Sequence, residues 1–555
     1  MYLLTEYPLE IKLKFLLMRK SLTFIAAILV TGSMFAGGLV TNNNQSAMFT
    51  RLQNRNASTG IDAVFFNPAG LTKLGDGFYV SINNQTISQT KTVINNSQLL
   101  AGTPKEYIGK VSAPFYPGIY VAYNTGKLGF SAGFNPIGGG GGAKYDKGLP
   151  SFEMGIADLV PLLNSKGITT TKYAADIFFE GTSVYFGYQG NISYKVNDMI
   201  SVAAGIRLVS AKNTYNGYLK NISINPNYPA FGAAYNGGMV KANDFFTSGA
   251  TTLNTLAGGA TAYAAGIGAI IFGGGSPATL LSNGATVGLT PTDIGTIQAI
   301  ITAAGQNPAG INIGTAQAIL TAAAPVFTAN GTAMAGYAAS SQDIYVDAEE
   351  TGNGYTPILS ANFSPSDKLN IAVKYEFQTK LEMTTKVKDN KGGGVFTNGA
   401  KIIADLPAIL FVGVEYKPME KLMVAGTFNY YFDKNVDYDG SKTLNINMID
   451  KNFLEFGLGA EYGLSEKLRV SGGWLATKTG VNSEYQSDQT YSTSTNSFGA
   501  GFGYRITPMI DLNLGGQYTF YAEGSKSFTH TVPVTETYNK KTWLIGVGLD
   551  FYFGK

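Results

Sequence analysis

The chain has 555 residues, with 40 basic against 37 acidic side chains, a formal charge of +3 and only 14% charged residues. Such a balance excludes bulk electrostatic attraction for nucleic acid, and the lack of cysteine excludes a disulfide scaffold while suiting an exported protein that needs none. The single histidine, His530, offers no Cys/His metal pattern and sits between Thr529 and Thr531 in a connection, so a catalytic base, and with it an enzyme or a cofactor, is not expected.

At the N-terminus, Met18-Arg19-Lys20, the apolar run Leu22 to Val30 and the small-residue site ending at Ala36 read as the three regions of a secretory signal. Residues 1–36 are therefore expected to be removed, with maturation at Gly37. Residues 1–17 read as translation from an upstream start, or else as part of an unusually long signal. The following segment, 37–77, is polar, rich in Asn and lacks strand periodicity.

From residue 78 the pattern changes. Runs of period-two apolar alternation bounded by turn residues predict strands at 78–90, 118–124, 127–136, 181–194, 199–212, 355–363, 368–380, 407–416, 421–433, 451–463, 466–478, 495–505, 509–521 and 541–553. Their connections alternate between short and long: Asn124-Thr125-Gly126-Lys127, Ser364-Pro365-Ser366-Asp367 and Lys417-Pro418-Met419-Glu420 are tight turns, and each is followed by a much longer link. Tight turns on one rim and elaborate loops on the other describe an all-β, 14-stranded antiparallel transmembrane β-barrel spanning 78–555, with both termini on the periplasmic rim. Faces follow from the same period. In the last strand Trp543, Ile545, Val547, Leu549, Phe551 and Phe553 share one face, expected to meet lipid, while Gly546, Gly548, Asp550 and Tyr552 share the other. A soluble β-sandwich is the alternative, but it has no need of alternating loop lengths.

With its N-terminus on the periplasmic rim, the segment 37–77 must dangle there or fold into the lumen. Fourteen strands leave a lumen wider than side chains alone fill, so a plug is expected. The stretch Asn67-Pro68-Ala69-Gly70-Leu71 directly before the first strand, with Ala57-Ser58 and Asp62-Ala63 upstream and fourteen strands downstream, resembles the FadL/TodX family of outer-membrane transporters for long-chain fatty acids and other hydrophobic molecules. The resemblance implies an N-terminal hatch that includes Asn67, Pro68 and Ala69, external loops forming a hydrophobic capture groove, and sideways release through a gap made by an inward kink of the third strand. Here that strand ends in Gly133, Phe134, Asn135 and Pro136, followed by Ile137 and five glycines. Proline removes a ladder donor and glycine permits bulges, so a lateral gate and a plain strand end are both open readings.

Inward positions that mix apolar side chains with charge suit an apolar cargo with a polar head. Tyr185, Val209, Phe411, Met423, Tyr431, Leu475 and Leu544 face inward, and a carboxylate head entering among them must be paired or protonated. Arg207 and Lys374 are the preferred partners, with Arg469 and Arg505 behind them, and Phe411, Met423 and Tyr431 complete the expected ligand-binding set. The competing reading pairs these cations with the inward acids Glu376, Glu415, Glu455, Glu461, Asp511 and Asp550.

The longest link, 213–354, holds a single charge, Asp293, between Phe245 and Gln342. Within it, Ile294 to Thr302 is nearly repeated by Ile313 to Thr321, and each copy predicts a short apolar helix, the first opened by Thr290-Pro291. A paired-helix hydrophobic groove, a self-packed cap and an oligomer contact are the readings of this insertion. The resulting expectation is a monomeric passive transporter in the outer membrane of a Gram-negative bacterium. Its partners would be a long-chain fatty acid or other hydrophobic small molecule, outer-membrane lipid and the barrel-assembly machinery. A surface adhesion or antigen barrel and a general diffusion porin are the alternatives.

Overall fold

A computed structural model describes residues 39–391, 396–438 and 447–554; the signal region expected at 1–36 lies outside them. Fourteen long strands form the barrel wall: β1 Gly77–Asn95, β2 Lys105–Thr125, β3 Leu128–Tyr145, β4 Tyr173–Lys195, β5 Ile200–Ile224, β6 Ile344–Ser366, β7 Leu369–Glu376, β8 Ile409–Met419, β9 Leu422–Tyr431, β10 Phe453–Gly463, β11 Leu468–Lys478, β12 Thr495–Thr507, β13 Ile510–Tyr521 and β14 Pro533–Gly554. Each pairs with its neighbour in the chain, and β1 pairs with β14 from Gly77↔Gly554 to Asn95↔Glu536, so the sheet closes without an edge.

All fourteen predicted strands are present, and the alternation of short and long links holds. Several strands outrun their predicted limits: β5 continues to Ile224 and β6 begins at Ile344, which narrows the long insertion from 213–354 to 225–343. The physical reason is that period-two contrast in sequence depends on lipid against lumen, and it fades where a strand extends beyond the apolar belt. Conversely β7 stops at Glu376, short of the predicted 380; the chain breaks its ladder there and resumes as Glu382–Asp389, paired with Asp347–Asn353 of β6. On β14 the outward Trp543, Ile545, Val547 and Phe553 are exposed, whereas the inward Leu544, Thr542 and Tyr538 are buried, as the alternation requires.

Residues 39–73 lie inside the barrel, where nearly all are buried. A short helix α1, Ala47–Leu52, is capped by Ser46, whose Oγ accepts from the Phe49 amide at 3.0 Å. A single turn α2, Ala63–Phe66, follows and leads into a 3₁₀ stretch, Pro68–Lys73. Wall glycines make room for this segment: a Cβ on Gly473 would lie 1.8 Å from the Leu52 carbonyl oxygen, and one on Gly413 2.4 Å from the Ala57 nitrogen. Its polar side chains reach the wall all round. Arg51 donates to Ser471 Oγ at 2.7 Å and to Glu461, and Arg55 forks onto Asp62 at 2.9 Å while reaching Glu415 at 3.3 Å.

The chain divides into two compact units, the barrel unit and a second one comprising Ile156–Asp176 and Leu219–Asp343. The second is built on α3 Ala242–Phe272, α4 Pro291–Ala303 and α5 Ile313–Ser340. The repeated segments start α4 and α5, capped by Thr290 with Asp293 in a capping box and by Asn312. Ala257, Ala260, Ala264 and Ile267 of α3 form a stripe of helical spacing that packs with Ile297, Ile300 and Ile301 of α4 and Ile313, Ala316, Leu320 and Phe327 of α5. Of the three readings of the insertion, this shared core agrees with the self-packed one. Leu256 to Gly275, long enough to span a membrane but weakly hydrophobic through its Ala and Gly, belongs mostly to the 31-residue α3.

Candidate functional site

Lys374 on β7 and Glu376, two residues along the same inward face, are joined by Arg207 from β5. Arg207 forks onto Glu376 with two contacts of 2.7 Å and donates to Gln189 Oε1 at 2.6 and 2.9 Å. Lys374 Nζ donates to Glu376 at 2.8 Å and to the Phe65 carbonyl oxygen at 2.7 Å. Two cations share one carboxylate, which leaves one positive charge in a buried site. Aromatic faces surround it: Lys374 Nζ lies 4.4 Å from the Phe65 ring centre and 4.0 Å from that of Phe411, and the Arg207 guanidinium lies 4.9 Å from Phe65. A small cavity lies beside the cluster, with room for about one water molecule. Its walls combine Arg207 and Glu376 with Phe65, Ile137, Leu406, Pro407, Ile409, Phe411 and the backbone segment Thr41–Asn43. Such an arrangement can counter a single negative charge beside apolar walls, and an apolar chain entering it requires the inner segment at Thr41–Asn43 to move aside.

The cavity adjoins a break in the wall. β2 and β3 pair from Thr125↔Leu128 to Ile119↔Phe134 and again at Lys110↔Lys144 and Gly109↔Tyr145, but between these points they do not pair. β2 remains paired to β1 through this stretch, and β3 to β4 with shifts around Gly138, so the opening is between β2 and β3 alone. On the lumen side the freed edge of β3 pairs with the inner segment: the Asn42 amide donates to the Ile137 carbonyl at 3.0 Å, and the Gly139 amide to the Val40 carbonyl at 2.8 Å. Only glycine fits at 138, because a Cβ there would come within 2.3 Å of the Val40 carbonyl oxygen. Tyr116, from the unpaired part of β2, places its hydroxyl 2.8 Å from both the Pro136 carbonyl and Asn42 Oδ1. Gln45 continues the net, its carbonyl accepting from Tyr120 and its Oε1 from Asn135.

The residues predicted from sequence fall into distinct places. Arg207, Lys374 and Phe411 come together at the cavity. Tyr431 is inward and buried but engaged elsewhere: its hydroxyl donates to Glu455 at 2.5 Å and accepts from Asn43 at 2.8 Å. Met423 does not join them. It pairs with Glu461 one position from the end of β9, beside the tight turn and only half-buried, because face parity assigns a side but not a height. Arg469 and Arg505 both pair with Asp511, as the competing reading held. Gly133 and Phe134 still pair with Tyr120 and Ile119, so the break opens at Asn135 and Pro136 and runs on to Ala143. Asn67, Pro68 and Ala69 are clamped by four side chains: Asn67 Nδ2 donates to Asn362 at 2.7 Å and accepts at Oδ1 from Ser360, while the Pro68 and Ala69 carbonyls accept from Ser193 and Ser201, both at 2.7 Å. Phe65 and Ile137, which complete the cavity, were missed; Phe65 lay in a segment whose path no periodicity reveals.

One buried acid of this region lies in a connection rather than a strand. Asp433, after β9, accepts from the Tyr438 hydroxyl at 2.5 Å and from the Phe453 amide, and burial pushes its carboxyl up to about 6. Since an unfolded Asp titrates near ~3.9, the folded form holds the proton more tightly, and this stabilising term is complete below that value and lost as pH rises through 6. Protection of residues 432–438 against hydrogen exchange, relative to the intrinsic rate at each pH, is expected to fall between about pH 4 and pH 7.5, and Asp433→Asn should remove that fall; an unchanged protection profile in the variant would contradict the assignment.

No protein-family model matches the sequence, and no curated protein sequence matches it either. Among solved structures, that of a Pseudomonas aeruginosa FadL homologue is similar with a TM-score of 0.54, covering 93% of this chain and 100% of that one at 12% identity. The Ralstonia pickettii toluene transporter TbuX gives 0.44, with 89% and 94% covered at 15% identity. The P. putida toluene transporter TodX gives 0.45, with 90% and 95% covered at 12% identity. The first of these likenesses establishes the barrel as FadL-type in fold.

Proposed function

We propose that this FadL-type barrel resides in the outer membrane of a Gram-negative bacterium and passively conducts long-chain fatty acids or similar hydrophobic molecules, with residues 39–76 serving as a hatch. The observation that carries this reading is the cavity in which Phe65, Ile137, Leu406 and Phe411 surround a cluster with one unspent positive charge, next to the break between β2 and β3. An acyl chain gains about 0.8 kcal/mol for each buried CH₂, and its carboxylate meets Arg207 and Lys374. Molecules reaching this point have a short way to lipid through the wall, so sideways exit requires displacement of Val40–Asn42 and Tyr116 but not of the clamped Asn67–Ala69 turn. Capture is assigned to the long connections.

A barrel purified from its native membrane is expected to hold elongated density beside Phe411 with its head toward Arg207, and to show no steady large conductance in planar bilayers. An empty cavity together with steady conductance would contradict the reading and favour a diffusion porin.

A further inference from the structure

Among the described residues, the lumenal cations Arg51, Arg55, Arg207, Lys374 and Arg469 each have a carboxylate within ion-pair distance. Lys91 of β1 and Lys540 of β14 do not. They are direct register partners across the β1–β14 seam, and both point inward with relative exposures of 7% and 6%. Opposed like charges are destabilising on a sheet, and a buried ammonium without an anion costs more. Lys540 has partial relief: its Nζ donates to the Tyr491 carbonyl at 2.6 Å and lies 4.3 Å from the Tyr491 ring centre. Lys91 has no hydrogen-bond partner or carboxylate among the described residues.

Their height is informative. On the outside of β14 the apolar belt runs from Phe553 up to Trp543, and the next outward residue is Lys541. Lys540 and Lys91 therefore lie on the lumen side at the long-connection edge of the belt. Incoming cargo passes this level before it reaches Arg207.

We propose that Lys91 and Lys540 form an anion site at the outer mouth that takes the carboxylate head group of an amphiphile, one oxygen to each ammonium, ahead of the Arg207 cluster. The proposal rests on the transport reading above. A carboxylate suits the pair because it supplies the anion that both ammoniums lack, and the Tyr491 and Tyr521 rings beside Lys540 are apolar neighbours for the chain that follows it.

The test is equilibrium binding of oleate and of oleyl alcohol to the full-length purified protein in nonionic detergent, comparing wild type with Lys91→Met/Lys540→Met and with Lys91→Met alone. Methionine keeps the length and apolar stem, and the heat-dependent gel shift of folded barrels verifies folding. The double variant is expected to bind oleate about tenfold more weakly, roughly one charge-assisted hydrogen bond, with oleyl alcohol unaffected and the single variant intermediate. Oleate binding equal to wild type in a folded double variant overturns the site while leaving the transport reading intact. An equal loss for both ligands also overturns it, as a structural effect. A wild type that binds neither ligand overturns the transport reading and this proposal together.

Discussion

Replacement of Arg207 by Met is expected to destabilise the folded barrel by about 3–5 kcal/mol, the usual cost of removing one partner from a buried ion pair. The cause lies in what remains. Glu376 loses two 2.7 Å contacts and keeps only Lys374, and Gln189 Oε1 loses both its donors. Simultaneous Glu376→Met should not recover the loss, since it strands the buried Lys374 ammonium with the Phe65 carbonyl in place of a carboxylate; recovery is expected when Lys374→Met is added, which removes the last charge of the cluster. Urea unfolding followed through the two tryptophans, Trp474 and Trp543, reads this directly. The same single variant takes the site from one positive charge to none, so oleate affinity should fall with stability. A midpoint unchanged from wild type would show that the Arg207–Glu376 contact is not what organises the cavity.

The second large effect concerns the wall break. Because the chain has no cysteine, Tyr116→Cys creates a unique thiol at the opening. Loss of the tyrosine hydroxyl frees the Pro136 carbonyl and Asn42 from their shared donor, so uptake of labelled oleate should rise in the unmodified variant. Attachment of a bulky maleimide at the same thiol should then bring uptake below half that of wild type. Uptake that ignores both steps would place the exit elsewhere, along the barrel axis past Asn67–Ala69.

How far the sequence spoke for itself follows a physical line. Strands were legible wherever one face meets lipid and the other the lumen, as in β13 and β14, because that contrast imposes period two. It failed for residues 213–224, which extend β5 where that contrast is gone. Topology put Asn67–Ala69 at the short-turn rim, to dangle or to fold inward; the width of a fourteen-stranded lumen and the family resemblance favoured the inside. The six residues of α1 and four of α2 were not, because their conformation is set by wall contacts such as Ser471 and Glu461 to Arg51. At the site, Lys374 and Glu376 could be placed on one face by their spacing of two. Their union with Arg207 required the heights of β5 and β7, which parity does not carry, and for the same reason Met423 was grouped with Phe411 although it lies by the turn. The break at Asn135–Pro136 was visible as chemistry in Pro136 and the glycines. That it pairs inward with Val40 and Asn42 depends on a segment with no periodic signal.

Uptake of labelled oleate by cells that carry the protein, compared with otherwise identical cells lacking it, tests the central claim most directly. Faster accumulation in cells with the barrel, reduced in the Arg207→Met variant at equal surface abundance, is the expected result; equal uptake with and without the protein would contradict it.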